Sequence, residues 1–151
     1  MKSLIEICKK YDIENYTIND DGSIDVDGEV ELYGHQLTEL PLTFNRVTGD
    51  FHCHFNGLTT LKGSPRWVGG RFSCRINRLT SLEFSPDYVG GDFKCAHNDL
   101  IDNYCDTEIG GDFYTTLKQD GLIFNFNKAT NYKQWRQIIK RKQILNDLFK
   151  K

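Results

Sequence analysis

The sequence predicts an α+β repeat solenoid: coils carrying a short parallel sheet, a helix and hairpin at the start and a helix at the end. Three observations predict it. A frame, V-x-G-x-F-x-C-x-x-N-x-L-T-x-L, recurs at a spacing of 21 residues. Inside the frame Phe-x-Cys alternates, which places both apolar residues on one side of a short strand. Gly-Gly or Pro returns once per copy and punctuates the chain between elements. A length of 151 residues fits one domain. Residues 1–25 form the first cap, 26–120 the repeats and 121–151 a terminal strand and helix.

The opening segment, Ser3 to Tyr11, reads as a short amphipathic helix. Ser3 and Glu6 fit a capping box. Leu4, Ile7, Cys8 and Tyr11 fall on one face at helical spacing. Tyr16-x-Ile18 and Ile24-x-Val26 flank Asn-Asp-Asp-Gly and predict a β-hairpin.

The repeats begin faintly at Val26, Gly28, Val30, Leu32, Leu37, Thr38 and Leu40. They become plain in Val47 to Trp67, Val68 to Tyr88 and Val89 to Leu100. A degenerate copy follows one residue early, at Ile109, Gly110, Gly111, Asp112, Phe113 and Thr115. One copy cannot bury its apolar face alone, so copies must stack, with one short strand per coil in a parallel sheet. The Asn three residues past each Cys sits where the chain turns. Its amide can bond the turn and the neighbouring coil, so stacked copies form an Asn ladder. Leu-Thr-x-Leu fills the second wall of the core.

The run F-x-C-x-x-N-x-L-T-x-L resembles the leucine-rich repeat. The matching residues are Phe51, Cys53, Asn56, Leu58 and Leu61, then Phe72, Cys74, Asn77, Leu79 and Leu82, then Phe93, Cys95, Asn98 and Leu100. With the opening YTINDDGSIDVDGEV, the V-G-G-x-F-x-C-x-x-N-x-L-T-S-L unit is similar to small repeat proteins encoded by tailed phages. The resemblance covers roughly residues 16–116. It implies a leucine-rich-repeat-like solenoid, and a phage accessory protein that inhibits or regulates a host factor in the host cytoplasm. The end copies depart from the pattern: His35 and Lys118 fall in the Asn slot, and Asn103 replaces a Leu.

After the repeats, Gly121 to Phe126 reads as an extended strand. Residues 131–150 read as a helix with Tyr132, Trp135, Ile138, Ile139, Leu145, Leu148 and Phe149 as an apolar stripe, expected to lie over the last coil. Charge divides between these parts. Residues 128–151 carry eight basic residues and one acid, whereas 1–127 carry eleven basic and twenty acidic residues.

The chemistry classes narrow quickly. Composition is too aromatic for disorder, and no apolar run approaches the ~20 residues of a membrane helix. MKSLIEICKKYD carries charges through its apolar part, unlike a secretory signal. A cytoplasmic protein with reduced cysteines is expected. Cys53, Cys74 and Cys95 stand in single file rather than converging, which predicts a core column and no metal site. Ser23 to Gly34 lacks the first acid and the twelfth Glu of a calcium loop. The Gly-Gly pairs precede no Gly-Lys-Ser/Thr. No nucleophile–base constellation and no cofactor motif is legible, so no catalytic residue is assigned.

Two binding surfaces remain. Outward residues on the strand face form the columns Glu29/Asp50/Arg71/Asp92/Asp112, Glu31/His52/Ser73/Lys94/Tyr114 and Tyr33/His54/Arg75/Ala96/Thr116. Tyr33, His52, His54, Arg71, Arg75, Lys94 and Tyr114 suit protein contacts, since Tyr and Arg are common anchors. This favours a non-enzymatic protein-binding module, with a host or phage protein as partner. The alternative is a nucleic-acid or other anionic ligand on Arg136, Lys140, Arg141 and Lys142 of the basic helix. No membrane partner is expected, and the chain is expected to be a monomer or weak dimer.

Overall fold

The computed structural model describes residues 2–101, 105–119 and 122–126. Within 137–150 it describes Gln137, Lys140, Arg141, Ile144, Leu145 and 147–150. The chain winds into a β-solenoid of about four turns. Helix α1 (Leu4–Lys10) starts at Ser3, whose hydroxyl accepts from the Glu6 N–H while the Glu6 carboxylate accepts from the Ser3 N–H. Two of the donors left open at a helix start are thereby satisfied. The helix buries Cys8 and packs Leu4, Ile7 and Tyr11 against the core. The hairpin follows as β1 (Tyr16–Ile18) antiparallel to β2 (Ile24–Val26), with Thr17 opposite Asp25.

From there every coil contributes two short strands, not one. The first series is β2, β4 (Phe44–Val47), β6 (Trp67–Val68), β8 (Tyr88–Val89) and β10 (Glu108–Ile109). The second is β3 (Val30–Glu31), β5 (Phe51–His52), β7 (Phe72–Ser73), β9 (Phe93–Lys94) and β11 (Phe113–Gln119). Each series pairs in parallel. With β1 and β12 (Leu122–Phe126) on their outer edges they make two six-stranded sheets. The single sheet expected from the sequence is therefore corrected: the Val slot of the frame is a strand in its own right. The Gly-Gly pair is the corner between the two sheets rather than a return.

That corner requires glycine for lack of room. A Cβ on Gly90 would lie 2.3 Å from the Gly69 carbonyl oxygen, and one on Gly110 2.3 Å from that of Gly90. Backbone stacks on backbone, and any side chain would part the coils. The repeat step is 21 residues between Phe51 and Phe72 and between Phe72 and Phe93. It shortens to 20 at Phe93–Phe113, which is the early last copy.

The core is a set of aligned columns. Phe51, Phe72, Phe93 and Phe113 stack with ring centroids 5.1–5.7 Å apart. Cys53, Cys74 and Cys95 form a second column, all free and fully buried. Val47, Val68 and Val89 line the other sheet, and Leu58, Leu61, Leu79, Leu82 and Leu100 close the third wall. The Asn ladder is present. Asn77 Nδ2 donates to the carbonyls of Cys74 and, one coil earlier, Cys53, while its Oδ1 accepts from the Leu58 N–H. Asn56 and Asn98 repeat the pattern.

Strand β12 lies antiparallel to β11, with Thr116 opposite Asn125. The described positions from Gln137 to Phe149 are helical. The expectation that this helix buries its apolar stripe over the last coil is not met there. Ile144, Leu145, Leu148 and Phe149 stand 50% to 82% exposed. Spacing fixes which residues share a helix face, not whether anything covers it. Tyr132, Trp135, Ile138 and Ile139 of the stripe lie outside the described residues. Among the described residues no helix is long and apolar enough to cross a membrane.

Candidate binding face on the second sheet

The strand face expected from alternation is the outer side of the second sheet. Phe72 and Cys74 point inward and are fully buried, so His52, Ser73 and Lys94, in register on β5, β7 and β9, point outward. At one end of this face Tyr33 stacks on His54 with ring centroids 5.3 Å apart and planes 8° from parallel. His52 meets His54 edge-on at 5.5 Å. The His52 Nε2 lies 3.5 Å from Asp50 and 3.8 Å from Glu31. At the other end Lys94 lies over the Tyr114 ring at 5.2 Å, and the Tyr114 hydroxyl donates to Asp112 at 3.3 Å. The fold thus gathers Tyr33, His52 and His54 into one cluster, and Lys94 and Tyr114 into another. Arg71 and Arg75 lie between them, both exposed.

Electrostatics on the face are uneven. Burial holds the His54 imidazole below the ordinary histidine range, and Arg75, His52 and Lys94 push it further down. Its Nδ1 is buried without a hydrogen-bond partner. Tyr114 is pushed above the ordinary phenol range, by desolvation first and then by Asp112 and Asp92.

Ser73 departs from the expectation of a solvated outward residue. It is only 2% exposed, and its hydroxyl has no hydrogen-bond partner. Alternation gives the direction of a side chain. It does not show that longer neighbours from adjacent coils will cover it. Asp50, His52 and Ser73 sit on adjoining strands in an order that invites comparison with a catalytic triad. The Ser73 hydroxyl bonds to no imidazole and has no open face for a substrate, which is not the geometry of an activated nucleophile.

The face that sequence reasoning passed over belongs to the first sheet. Arg46 lies over Trp67 at 3.7 Å, and Trp67 stacks on Tyr88 at 5.6 Å with planes 15° apart. The signal was available. These residues recur at the repeat spacing immediately before each Val of the frame.

The alternative basic face is described only in part. Lys140 and Arg141 are helical and exposed. Arg136 and Lys142 lie outside the described residues. Among the described residues no cluster of three His, Cys, Asp or Glu side chains is arranged to hold a metal ion.

Together the fold and this face define a two-sheet β-solenoid whose second sheet carries aromatic, cationic and acidic side chains on its outer surface. Compared with known proteins, no family model, no curated protein and no solved structure matches the chain.

Proposed function

We propose that this chain is a non-enzymatic protein-binding module that meets its partner through the outer face of the second sheet. The observation that carries the reading is the Tyr33–His54 stack standing beside two exposed arginines, Arg71 and Arg75. A pre-stacked aromatic pair loses little freedom on binding, and exposed guanidinium groups supply directional contacts. The similarity of the V-G-G-x-F-x-C-x-x-N-x-L-T-S-L unit to small repeat proteins of tailed phages supports a role as a small phage accessory protein that inhibits or regulates a host factor in the cytoplasm. In this reading α1 and the hairpin serve as the first cap of a monomer or weak dimer.

Affinity capture from bacterial lysate, run in parallel with wild type and a Tyr33→Ala, Arg71→Glu, Arg75→Glu variant, tests it. A partner held by wild type and lost by the variant supports the strand face. A partner held equally by both overturns it.

A second reading rests on the C-terminal helix, where Lys140 and Arg141 are exposed beside the exposed Ile144, Leu145, Leu148 and Phe149. A basic amphipathic helix suits a nucleic acid or another anionic ligand. Oligonucleotide binding that weakens steeply with salt, and that vanishes in Lys140→Glu, Arg141→Glu, is the expected result of that reading.

A further inference from the structure

The acids and the cations of the second sheet's outer face are used differently. Four of the acids, Glu31, Asp50, Asp92 and Asp112, are engaged, while Glu29 is exposed. Asp50 Oδ1 accepts from the Arg71 N–H at 2.7 Å, and its other oxygen faces His52. Asp92 accepts from the Asp112 N–H at 2.9 Å, and Asp112 accepts from the Tyr114 hydroxyl. Of the cations, His52 faces two acids and Lys94 lies over the Tyr114 ring, but the arginines have no such partner. Among the described residues, the ion pairs involve only His52 and Arg66 as the cationic partners. Arg71, Arg75 and Arg78, all exposed and all on the third coil, pair with no carboxylate. The Ser73 hydroxyl and His54 Nδ1 lie among them, buried and unpartnered.

The corner beside these cations is strained and apolar. Phe55 and Ile76 hold the left-handed backbone conformation, at φ 56° and 53°, in the slot where the first coil has Gly34 at φ 71°. A β-branched residue there is a genuine outlier. Both side chains also face solvent, 63% and 38% exposed. Together with Arg78 they line a shallow cleft. The conformation recurs one coil on at His97, φ 57°, so it belongs to the turn before each ladder Asn; what sets Phe55 and Ile76 apart is exposed apolar surface, as found at binding sites.

We infer that this corner and the third coil's cations receive an acidic peptide segment of the partner. A carboxylate docks at Arg75, and a neighbouring apolar side chain packs on Phe55 and Ile76 beside Arg78. The inference rests on the strand-face reading of function and names the chemistry of the partner. Charge favours a peptide over a phosphate chain. Residues 1–127 hold twenty acids against eleven basic residues, and Glu31, Asp50, Asp92 and Asp112 share the face. A polyanion would meet them along its length, whereas a peptide needs to present only one or two carboxylates at the free cations.

Selection of a random dodecapeptide display library on the immobilised full chain tests this. The expected result is enrichment of sequences with Asp or Glu next to an apolar residue. Synthetic versions should lose at least tenfold in affinity when that acid becomes Asn or Gln. They should lose as much on Arg75→Glu, Arg78→Glu protein whose circular dichroism is unchanged. Peptides that need Tyr33 but carry no acid would overturn this inference and leave the strand-face reading standing. No enrichment over a blank surface would overturn both. Displacement of the enriched peptides from the wild-type face by a single-stranded oligonucleotide at lower concentration than the acidic peptide itself would assign the cations to a phosphate chain and overturn it too.

Discussion

The side-chain amide of Asn77 donates to the carbonyl of Cys53, 24 residues earlier and one coil away, at 3.1 Å. The same nitrogen donates to Cys74 at 3.0 Å, and Asn77 Oδ1 accepts from Leu58. One buried side chain thus closes its own turn and ties that turn to the coil before it. Asn77→Ala leaves the Leu58 N–H without its partner and removes one of the two side-chain donors from each of the Cys53 and Cys74 carbonyls, which keep Asn56 and Asn98. A loss of about 2–4 kcal/mol is expected, read as a shift in the urea midpoint. A shift no larger than that of an exposed-site substitution such as Thr80→Ala would refute the ladder's role.

The Gly-Gly corner gives a paired test. Gly90→Ala puts a methyl group 2.3 Å from a backbone oxygen, so overpacking is expected to cost about 1–3 kcal/mol or more. Gly57→Ala is its control, because the nearest atom would be the Leu37 oxygen at an ordinary 3.6 Å. Thermal denaturation should separate the two variants clearly. Equal melting temperatures would mean the coils are not in backbone contact at the corner.

The cysteine column should be chemically silent in the native state. Burial pushes the Cys53 thiol up to about 12 and raises the Cys95 thiol as well. Cys74 is also raised, by burial first and then by Cys95, Cys53 and Cys105. The thiolate is the reactive form. Alkylation at pH 8 should therefore spare these three in native protein and modify them in denaturant, as read by mass spectrometry. Linkage runs in the same direction. Unfolded thiols ionise from about pH 9, before the folded ones, so stability falls as pH rises from there towards the folded values.

His54 makes the opposite prediction on the acid side. Its folded titration lies below that of an unfolded histidine. The unfolded chain takes up the proton first, so stability falls as pH drops below about 6.5 towards the folded value. In His54→Gln the fall in melting temperature between pH 7.5 and pH 5.5 should shrink. An unchanged slope would locate the acid sensitivity elsewhere.

Ile76→Asn should separate stability from binding. Asn tolerates the left-handed conformation that Ile76 occupies, so a gain on the order of 1 kcal/mol is expected from relief of strain. Peptide binding at the corner should weaken in the same variant. A loss of stability instead would show that Ile76 is held by packing.

How much of this was legible follows from residue spacing. Phe51, Cys53, Asn56, Leu58 and Leu61 repeat often enough that the stacked core, the ladder and the outward columns could be read directly. The capping box at Ser3 and Glu6 and the hairpin register were legible because both are local. The first sheet was not. Trp67–Val68 and Tyr88–Val89 are two-residue strands with one inward residue each, and two residues contain no alternation to count. Ser73 was read as exposed because its cover comes from side chains on other coils. The C-terminal stripe was read as buried because periodicity reports a face without reporting a neighbour.

The backbone bonds from Phe51 to Arg71, from Phe72 to Asp92 and from Phe93 to Asp112 all join one coil to the next. They run along the stack, while the covalent chain runs around it. A pull applied along the stack therefore loads these junctions in series, and the weakest yields first while the others hold. A pull across the stack is borne by covalent backbone in every coil at once. The molecule is mechanically anisotropic. Tension along its axis should release it in steps of one coil, each paying out one repeat of chain.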